Sequence, residues 1–168
     1  ENPDKEVVFF AVGFETTAPA NALSVLHAEK EGITNYSILA SHVLVPPAME
    51  AILDDKFCTI DAFLAAGHVC AIMGIQEYYP LVEKYKIPIV VTGFEPLDLV
   101  QGIYLAVKQL EEGKHELENQ YARIVKEHGN KSAIEVIQKV FEIGNREWRG
   151  IGEIPNSGYV VKQAYKNY

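Results

Sequence analysis

Cysteine and long apolar segments are the features that this sequence has least of. Its 168 residues include two cysteines, Cys58 and Cys70, which are too few for a disulfide framework and lack the Cys-x-x-Cys spacing of redox and metal motifs. We expect both to be reduced thiols. No apolar run approaches the roughly 18 residues of a membrane-spanning helix, and no signal-peptide pattern opens the chain. The sequence therefore predicts a cytoplasmic protein that does not enter a membrane.

Basic charge is also scarce. Lys and Arg number 15 against 23 Asp and Glu, which gives a net charge of −8. Binding to nucleic acid without sequence preference needs Lys and Arg to displace counterions from phosphates, so the charge balance argues against that function. The chain opens at "ENPDKEVV" without methionine. We expect Glu1 to lie inside a longer protein.

Short apolar runs rich in β-branched residues alternate with helical patterns. The predicted strands are Val7–Val12, Tyr36–Ala40, Asp61–Ala66 and Ile87–Thr92. The predicted helices cover residues 18–31, 48–53, 77–85 and 96–112. Such alternation implies right-handed crossovers and a parallel sheet with helices on both faces. We expect an α/β domain at residues 1–113, built on a Rossmann-like, doubly wound parallel sheet of about four strands.

The remaining residues, 114–168, break this alternation. Lys131–Phe141 has the apolar spacing of an amphipathic helix, whereas the residues on either side of it predict extended segments and turns. A single helix cannot form a core of its own. This C-terminal extension is therefore expected to pack on another surface, and we expect it to return toward a first domain that precedes this chain.

Polar side chains follow all four predicted strands. The first and fourth strands end in Gly13-Phe14-Glu15 and Gly93-Phe94-Glu95, whereas His42 and Gly67-His68 follow the second and third. The carboxyl ends of parallel strands lie at one edge of a sheet, where ligands bind in open α/β folds. The pattern therefore predicts two glutamates and two histidines at a common edge.

Three interpretations of this edge remain open from the residues alone. Carboxylates and imidazoles can form a hydrogen-bonding site for a substrate or a partner, including a Glu/His acid-base pair in a hydrolytic domain. The same side chains can ligate iron or zinc where they converge. In the third interpretation they only start helices, since Thr17 is a good N-cap and Glu95 precedes Pro96.

Cys70 has two interpretations as well. It lies two residues after His68, at a predicted helix start that would lower the pKa of a thiol. Free cysteine is otherwise a small buried hydrophobe. Cys58 has no such neighbour, and we expect it to be structural.

Five long motifs carry a resemblance to a known family. They are "FFAVGFETTAP", "AGHVCAIMG", "IPIVVTGFEPLDLVQGI", "ENQYARIV" and "EWRGIGEIPNSG". In this order and at this spacing they resemble the HypD family of [NiFe]-hydrogenase maturation proteins, and the resemblance covers nearly the whole chain.

The resemblance implies a scaffold that assembles the Fe(CN)2CO group of the hydrogenase. It further implies a HypC-type chaperone and a HypE-type cyanide donor as partners, two α/β domains facing each other across a cleft, and a third domain with a [4Fe-4S] cluster. The cluster-ligating and redox-active cysteines of the family lie outside these motifs. The chain thus resembles the central segment, with the second α/β domain, and we expect it to be inactive alone even where the complete protein has a redox role.

The resemblance also assigns roles to the residues at the strand ends. One wall of the cleft would be lined by Glu15, Thr16, Thr17, His68 and Glu95. Contacts to the transiently bound iron group are further expected from Gly13, His42, Gly67 and Gly93. Threonine hydroxyls and the His68 imidazole would donate hydrogen bonds to the cyanide nitrogens, and the two glutamates would orient these donors.

Overall fold

A computed structural model describes residues 4–168, which form two compact units. The first unit contains the residues up to Ala48 together with Ser132–Tyr168, and the second unit is Met49–Lys131. The compact units thus do not divide at Gly113, and the domains of a longer protein stay a prediction. The prediction that Glu1 lies inside a longer protein concerns a residue outside the described range.

The strands and helices alternate through most of the chain. In chain order they are β1 (Val7–Gly13), α1 (Ala18–Glu31), β2 (Tyr36–His42), α2 (Val45–Leu53), β3 (Phe63–Ala66), α3 (Gly67–Met73), α4 (Tyr79–Tyr85), β4 (Ile89–Thr92), α5 (Pro96–Glu111), β5 (Leu117–Asn119), α6 (Lys131–Val140), β6 (Phe141–Trp148) and β7 (Gly152–Val161). Short 3₁₀ helices cover Gln76–Tyr78 and Gln163–Tyr165. All four predicted strands are present, which confirms the α/β class.

The strands form separate sheets. β1 pairs with β2 in parallel, with Gly13 opposite His42. A second parallel sheet has the order β3-β4-β5, and β6 and β7 form an antiparallel hairpin. Among residues 4–168 the single sheet of about four strands is thus replaced by two parallel sheets.

The hairpin explains why, among the described residues, β2 has no second parallel neighbour beside β1. It packs along the outer edge of β2, where Val43 bridges to Gly158 and an Arg146 Nη2 hydrogen donates to the Ala40 carbonyl oxygen at 3.1 Å. Another Arg146 hydrogen bond, to the Tyr159 carbonyl oxygen, fastens the two strands of the hairpin together. The C-terminal extension from Ser132 onward therefore packs within the first unit, whereas residues 114–131 belong to the second, where β5 pairs with β4.

Helix α1 covers one face of the β1–β2 sheet, with Ala22 and Val25 buried. The opposite face is apolar and uncovered: Val8, Phe10, Val12 and Leu39 are 58–64% exposed. The apolar run of β1 predicts a strand covered on both faces. The described residues cover one of them in part, since Val7 and Phe9 on the α1 side are still 48% exposed.

Candidate functional site

The predicted site residues fall in both compact units. The first unit carries Gly13, Glu15, Thr16, Thr17 and His42, and the second carries Gly67, His68, Gly93 and Glu95. Within each unit these residues lie at or just after the carboxyl ends of two paired parallel strands. A common cleft wall formed by all of them stays a prediction.

The loop after β1 is held tightly by its own residues. Gly13 has a φ of +153°, and a Cβ there would collide with the Thr17 side chain. Thr17 occupies the N-cap position of α1, but its side chain makes no cap hydrogen bond. Its hydroxyl instead donates to the carbonyl oxygen of Phe14 at 3.2 Å. The predicted cap is thus right in position and wrong in its hydrogen bond, while Thr16 is exposed.

Glu15 is a buried carboxylate, with 1% of the residue exposed. Its Oε1 accepts a hydrogen bond from the backbone N–H of Val45, the first residue of α2, at 2.9 Å. The first N–H groups of a helix have no partner within the helix, and its N-terminus attracts negative charge. Glu15 therefore caps α2 and fixes the β1 loop to it, whereas the sequence suggested α1, the helix that follows Glu15.

His42 is fully buried at the end of β2. Its Nε2 lies 2.8 Å from Nδ2 of Asn21, and its ring centroid lies 5.8 Å from that of Phe141. Burial lowers the pKa of His42 below its usual 6.5, and the nearby charge of Arg146 lowers it further. The imidazole is therefore neutral and held in the interior, where a ligand in solvent cannot reach it.

Trp148 also belongs to this edge, a position that the sequence did not predict. Its ring centroid lies 6.5 Å from that of Phe14, and its Nε1–H donates to Ser157 Oγ at 2.9 Å. The β6–β7 hairpin thus reaches the loop that carries Glu15. The available signals were that the only tryptophan lies in the "EWRGIGEIPNSG" motif and in a stretch rich in turn residues.

In the second unit, the exposed His68 is the second residue of α3. Its ring centroid lies 4.6 Å from that of Phe94 and 6.5 Å from that of Tyr121. The first of these contacts joins the start of α3 to the loop after β4. His68 is thus presented to solvent on an aromatic support.

Glu95 is exposed at the N-cap position of α5 and makes no side-chain cap hydrogen bond. The acid that is engaged there is Asp98, in the first turn of the same helix, which forms a bidentate ion pair with Arg123. Hydrogen bonds from Arg123 and then Gln120 lower the pKa of Asp98 to about 2. Arg123, Gln120 and Tyr121 all come from the "ENQYARIV" motif, whose local sequence does not reveal that it reaches α5.

Both cysteines belong to the second unit. Cys70 is completely buried within α3 and Cys58 is partly buried, both without a disulfide. The buried position favours the inert interpretation of Cys70. Among residues 4–168 no group of three or more His, Cys, Asp or Glu side chains is arranged to hold a metal ion.

None of the helices in the described part of the chain has the length and apolarity needed to cross a bilayer.

Comparison with known proteins gives a consistent result. The family model described as "HypD: Hydrogenase formation hypA family" matches residues 1–168. The hydrogenase maturation factor HypD of Rhodobacter capsulatus is 45% identical over 166 residues, which are 98% of this chain and 44% of that protein. HypD1 of Bradyrhizobium diazoefficiens is 43% identical and the hydrogenase expression/formation protein HupD of Azotobacter chroococcum is 42% identical, each over 100% of this chain and 46% of the relative. The chain thus spans about half the length of these relatives.

Proposed function

The chain belongs to the HypD hydrogenase formation family, and we propose that it is part of the scaffold that assembles the Fe(CN)2CO group of [NiFe]-hydrogenase. The observation that carries this proposal is the similarity, along the whole chain, to proteins named for hydrogenase maturation. The iron group is the cargo of the scaffold, held until it is transferred.

Exposed hydrogen-bond donors are the groups through which this chain would contact the cargo. Thr16 and His68 are exposed at the carboxyl edges of their sheets. A hydroxyl and an imidazole N–H can both donate to a cyanide nitrogen. The hydroxyl of Thr17 is directed to Phe14, so we assign Thr17 to shaping the loop. His42 and the buried Glu15 are assigned to support, and Glu95, with its exposed carboxylate, to orienting a donor.

The iron-binding thiols, the [4Fe-4S] cluster and the cleft belong, in this proposal, to the complete cytoplasmic protein. That protein would work in a complex with a HypC-type chaperone and receive cyanide from a HypE-type partner. The doubly wound sheet would be completed there as well, since parallel sheets have both faces covered, and Val8 and Phe10 lie on an uncovered face.

Complementation of a strain that lacks its own factor tests the proposal. Full-length protein with His68→Ala should lower active hydrogenase on the order of tenfold or more, since a positioned donor is lost. His115→Ala is the matched control, because His115 is also exposed in the second unit but precedes β5 at the opposite sheet edge. Normal hydrogenase activity with His68→Ala, at equal protein level, would overturn the assignment of His68.

A further inference from the structure

We propose that the Asp98–Arg123 ion pair positions the His68 imidazole through the ring of Tyr121. The four residues belong to the second unit and come from three separate segments of the sequence. The inference rests on the proposed function only in so far as His68 acts on the cargo. The positioning itself is a claim about geometry.

The ion pair joins the first turn of α5 to the segment after β5. Arg123 Nη1 donates to Asp98 Oδ1 at 2.7 Å, and Nη2 donates to Oδ2 at 2.6 Å. The Asp98 side chain is 5% exposed, whereas that of Arg123 is 50% exposed. Gln120 Nε2 adds a hydrogen bond to Asp98 Oδ1 at 3.0 Å. A planar, two-pronged contact of this kind fixes the direction of the guanidinium as well as its position, which lysine cannot reproduce.

The fixed guanidinium lies over the ring of Tyr121, with its carbon 4.4 Å from the ring centroid. Tyr121 is also fastened by its backbone N–H, which donates to the Val91 carbonyl oxygen of β4 at 3.3 Å. Its ring therefore has a constrained place between the ion pair and the end of the sheet.

Two glycines make room for that ring. A Cβ at Gly67 would lie 2.6 Å from Tyr121 Cδ1, and a Cβ at Gly93 would lie 2.7 Å from Tyr121 Cε2. Real Cβ atoms do not approach other atoms so closely. The Tyr121 ring thus packs directly against the start of α3, which carries His68, and against the loop that carries Phe94.

His68 packs against the side chains of Phe94 and Tyr121. Its ring is 4.6 Å from Phe94 and 6.5 Å from Tyr121, measured between centroids. A disturbed ion pair would free the Tyr121 ring and with it the support of His68, while His68 itself stays unaltered. Arg123 and Tyr121 are therefore positioning residues, which act on His68 without contacting cargo.

Histidine-labelled full-length protein provides the test, with the His68 ring resonances assigned through His68→Gln. We expect Arg123→Lys and Tyr121→Leu to shift these resonances and to lower maturation on the order of tenfold, since small displacements of an acting group are costly. Tyr121→Phe, which keeps the ring, should behave as the wild type. Lys114→Ala is the matched control, because it breaks another ion pair of the second unit, the exposed Lys114–Glu112 pair.

The outcomes separate the two claims. Unchanged His68 resonances in Arg123→Lys and Tyr121→Leu, or equal shifts in Lys114→Ala, overturn the positioning role. Variants that unfold are recognised by loss of signal dispersion; if Tyr121→Leu unfolds, Arg123→Lys, the milder change, decides. Full maturation by His68→Ala would instead overturn the proposed function of His68, and shifted resonances in Arg123→Lys would still support the positioning.

Discussion

The two Gly-Phe-Glu segments are identical in sequence and opposite in environment. Glu15 in the first unit is 1% exposed and accepts a hydrogen bond from the Val45 N–H. Glu95 in the second unit is exposed and makes no side-chain cap hydrogen bond. Each follows the carboxyl end of a parallel strand, so the position in the sheet does not account for the difference.

The residue that follows each glutamate accounts for the difference in environment. Pro96 takes the first position of α5, and Glu95 before it is extended, with φ −73° and ψ 151°. Proline favours both arrangements, because its ring suits the first helical turn and disfavours helical geometry in the residue before it. Two residues, Thr16 and Thr17, separate Glu15 from α1, which begins at Ala18. The longer loop allows the carboxylate to turn inward to α2.

The largest expected effect on stability concerns Gly93 and Gly13, the glycines of the two Gly-Phe-Glu segments. A Cβ at Gly93 would collide with Asp98, which is held by Arg123, and with the Tyr121 ring. A Cβ at Gly13 would meet the side chain of Thr17, which can rotate. We expect Gly93→Ala to lower the free energy of unfolding by about 3 kcal/mol and Gly13→Ala by about half as much. Urea unfolding of the full-length protein measures both.

Combining Gly13→Ala with Thr17→Ala identifies the cause of the smaller loss of unfolding free energy. Thr17→Ala removes the colliding hydroxyl, so the cost of Gly13→Ala should fall in that background by the steric share. No recovery would mean that the φ of +153° alone accounts for the loss. A Gly93→Ala loss no larger than that of Gly13→Ala would contradict the comparison.

Next in size is the carboxylate of the first segment. Glu15→Ala leaves the part-buried Val45 N–H without its acceptor, which should cost about 2 kcal/mol of unfolding free energy. Glu15→Gln keeps an acceptor oxygen and should recover at least half of that. If Glu15→Gln and Glu15→Ala are equally unstable, the charge and not the hydrogen bond holds α2 in place.

Local pattern predicted much of this architecture and none of the partners of its polar groups. β1, α1, α5 and α6 follow from apolar runs and helical spacing. The acceptor for Val45 lies 30 positions away, Asn21 and His42 are 21 apart, and Arg123 and Asp98 are 25 apart. Such pairs depend on the assembly of the sheets, which periodicity does not encode.

The hairpin was missed for a different reason. β7 contains Pro155, Asn156 and Gly158, residues that normally mark turns, and β6 has an irregular register between Gly144 and Arg146. Gly158 is nevertheless required within the strand, because a Cβ there would collide with the His42 carbonyl oxygen. A residue such as Gly158, which allows two strands to approach closely, is thus mistaken for a turn residue when only the sequence is considered. The same hairpin occupies the edge of β2, and so the predicted single sheet is divided.

The buried histidine of the first unit predicts an acid-sensitive stability. The pKa of His42 is lowered in the folded state, so below about pH 6.5 the unfolded chain binds a proton that the folded chain does not. Stability should therefore fall on acidification by roughly 1 kcal/mol per pH unit. Unfolding at pH 5, 6 and 7 measures the slope. His42→Gln should reduce it, whereas His27→Gln, at an exposed position, controls for the loss of an imidazole elsewhere; equal slopes in both variants and wild type would contradict the prediction.

The smallest effect on stability is expected from Glu95, and it separates the two glutamates by mechanism. Because its side chain is exposed and makes no cap hydrogen bond, Glu95→Ala should change the free energy of unfolding by less than about 0.5 kcal/mol. If the carboxylate orients a donor toward the iron group, hydrogenase maturation should still fall severalfold at equal protein level. Glu15→Ala should lose maturation only together with stability, and a milder temperature should restore it. A Glu95→Ala protein that is as stable and as active as wild type would leave the second Gly-Phe-Glu as a helix start alone, and the functional reason for its glutamate would then disappear.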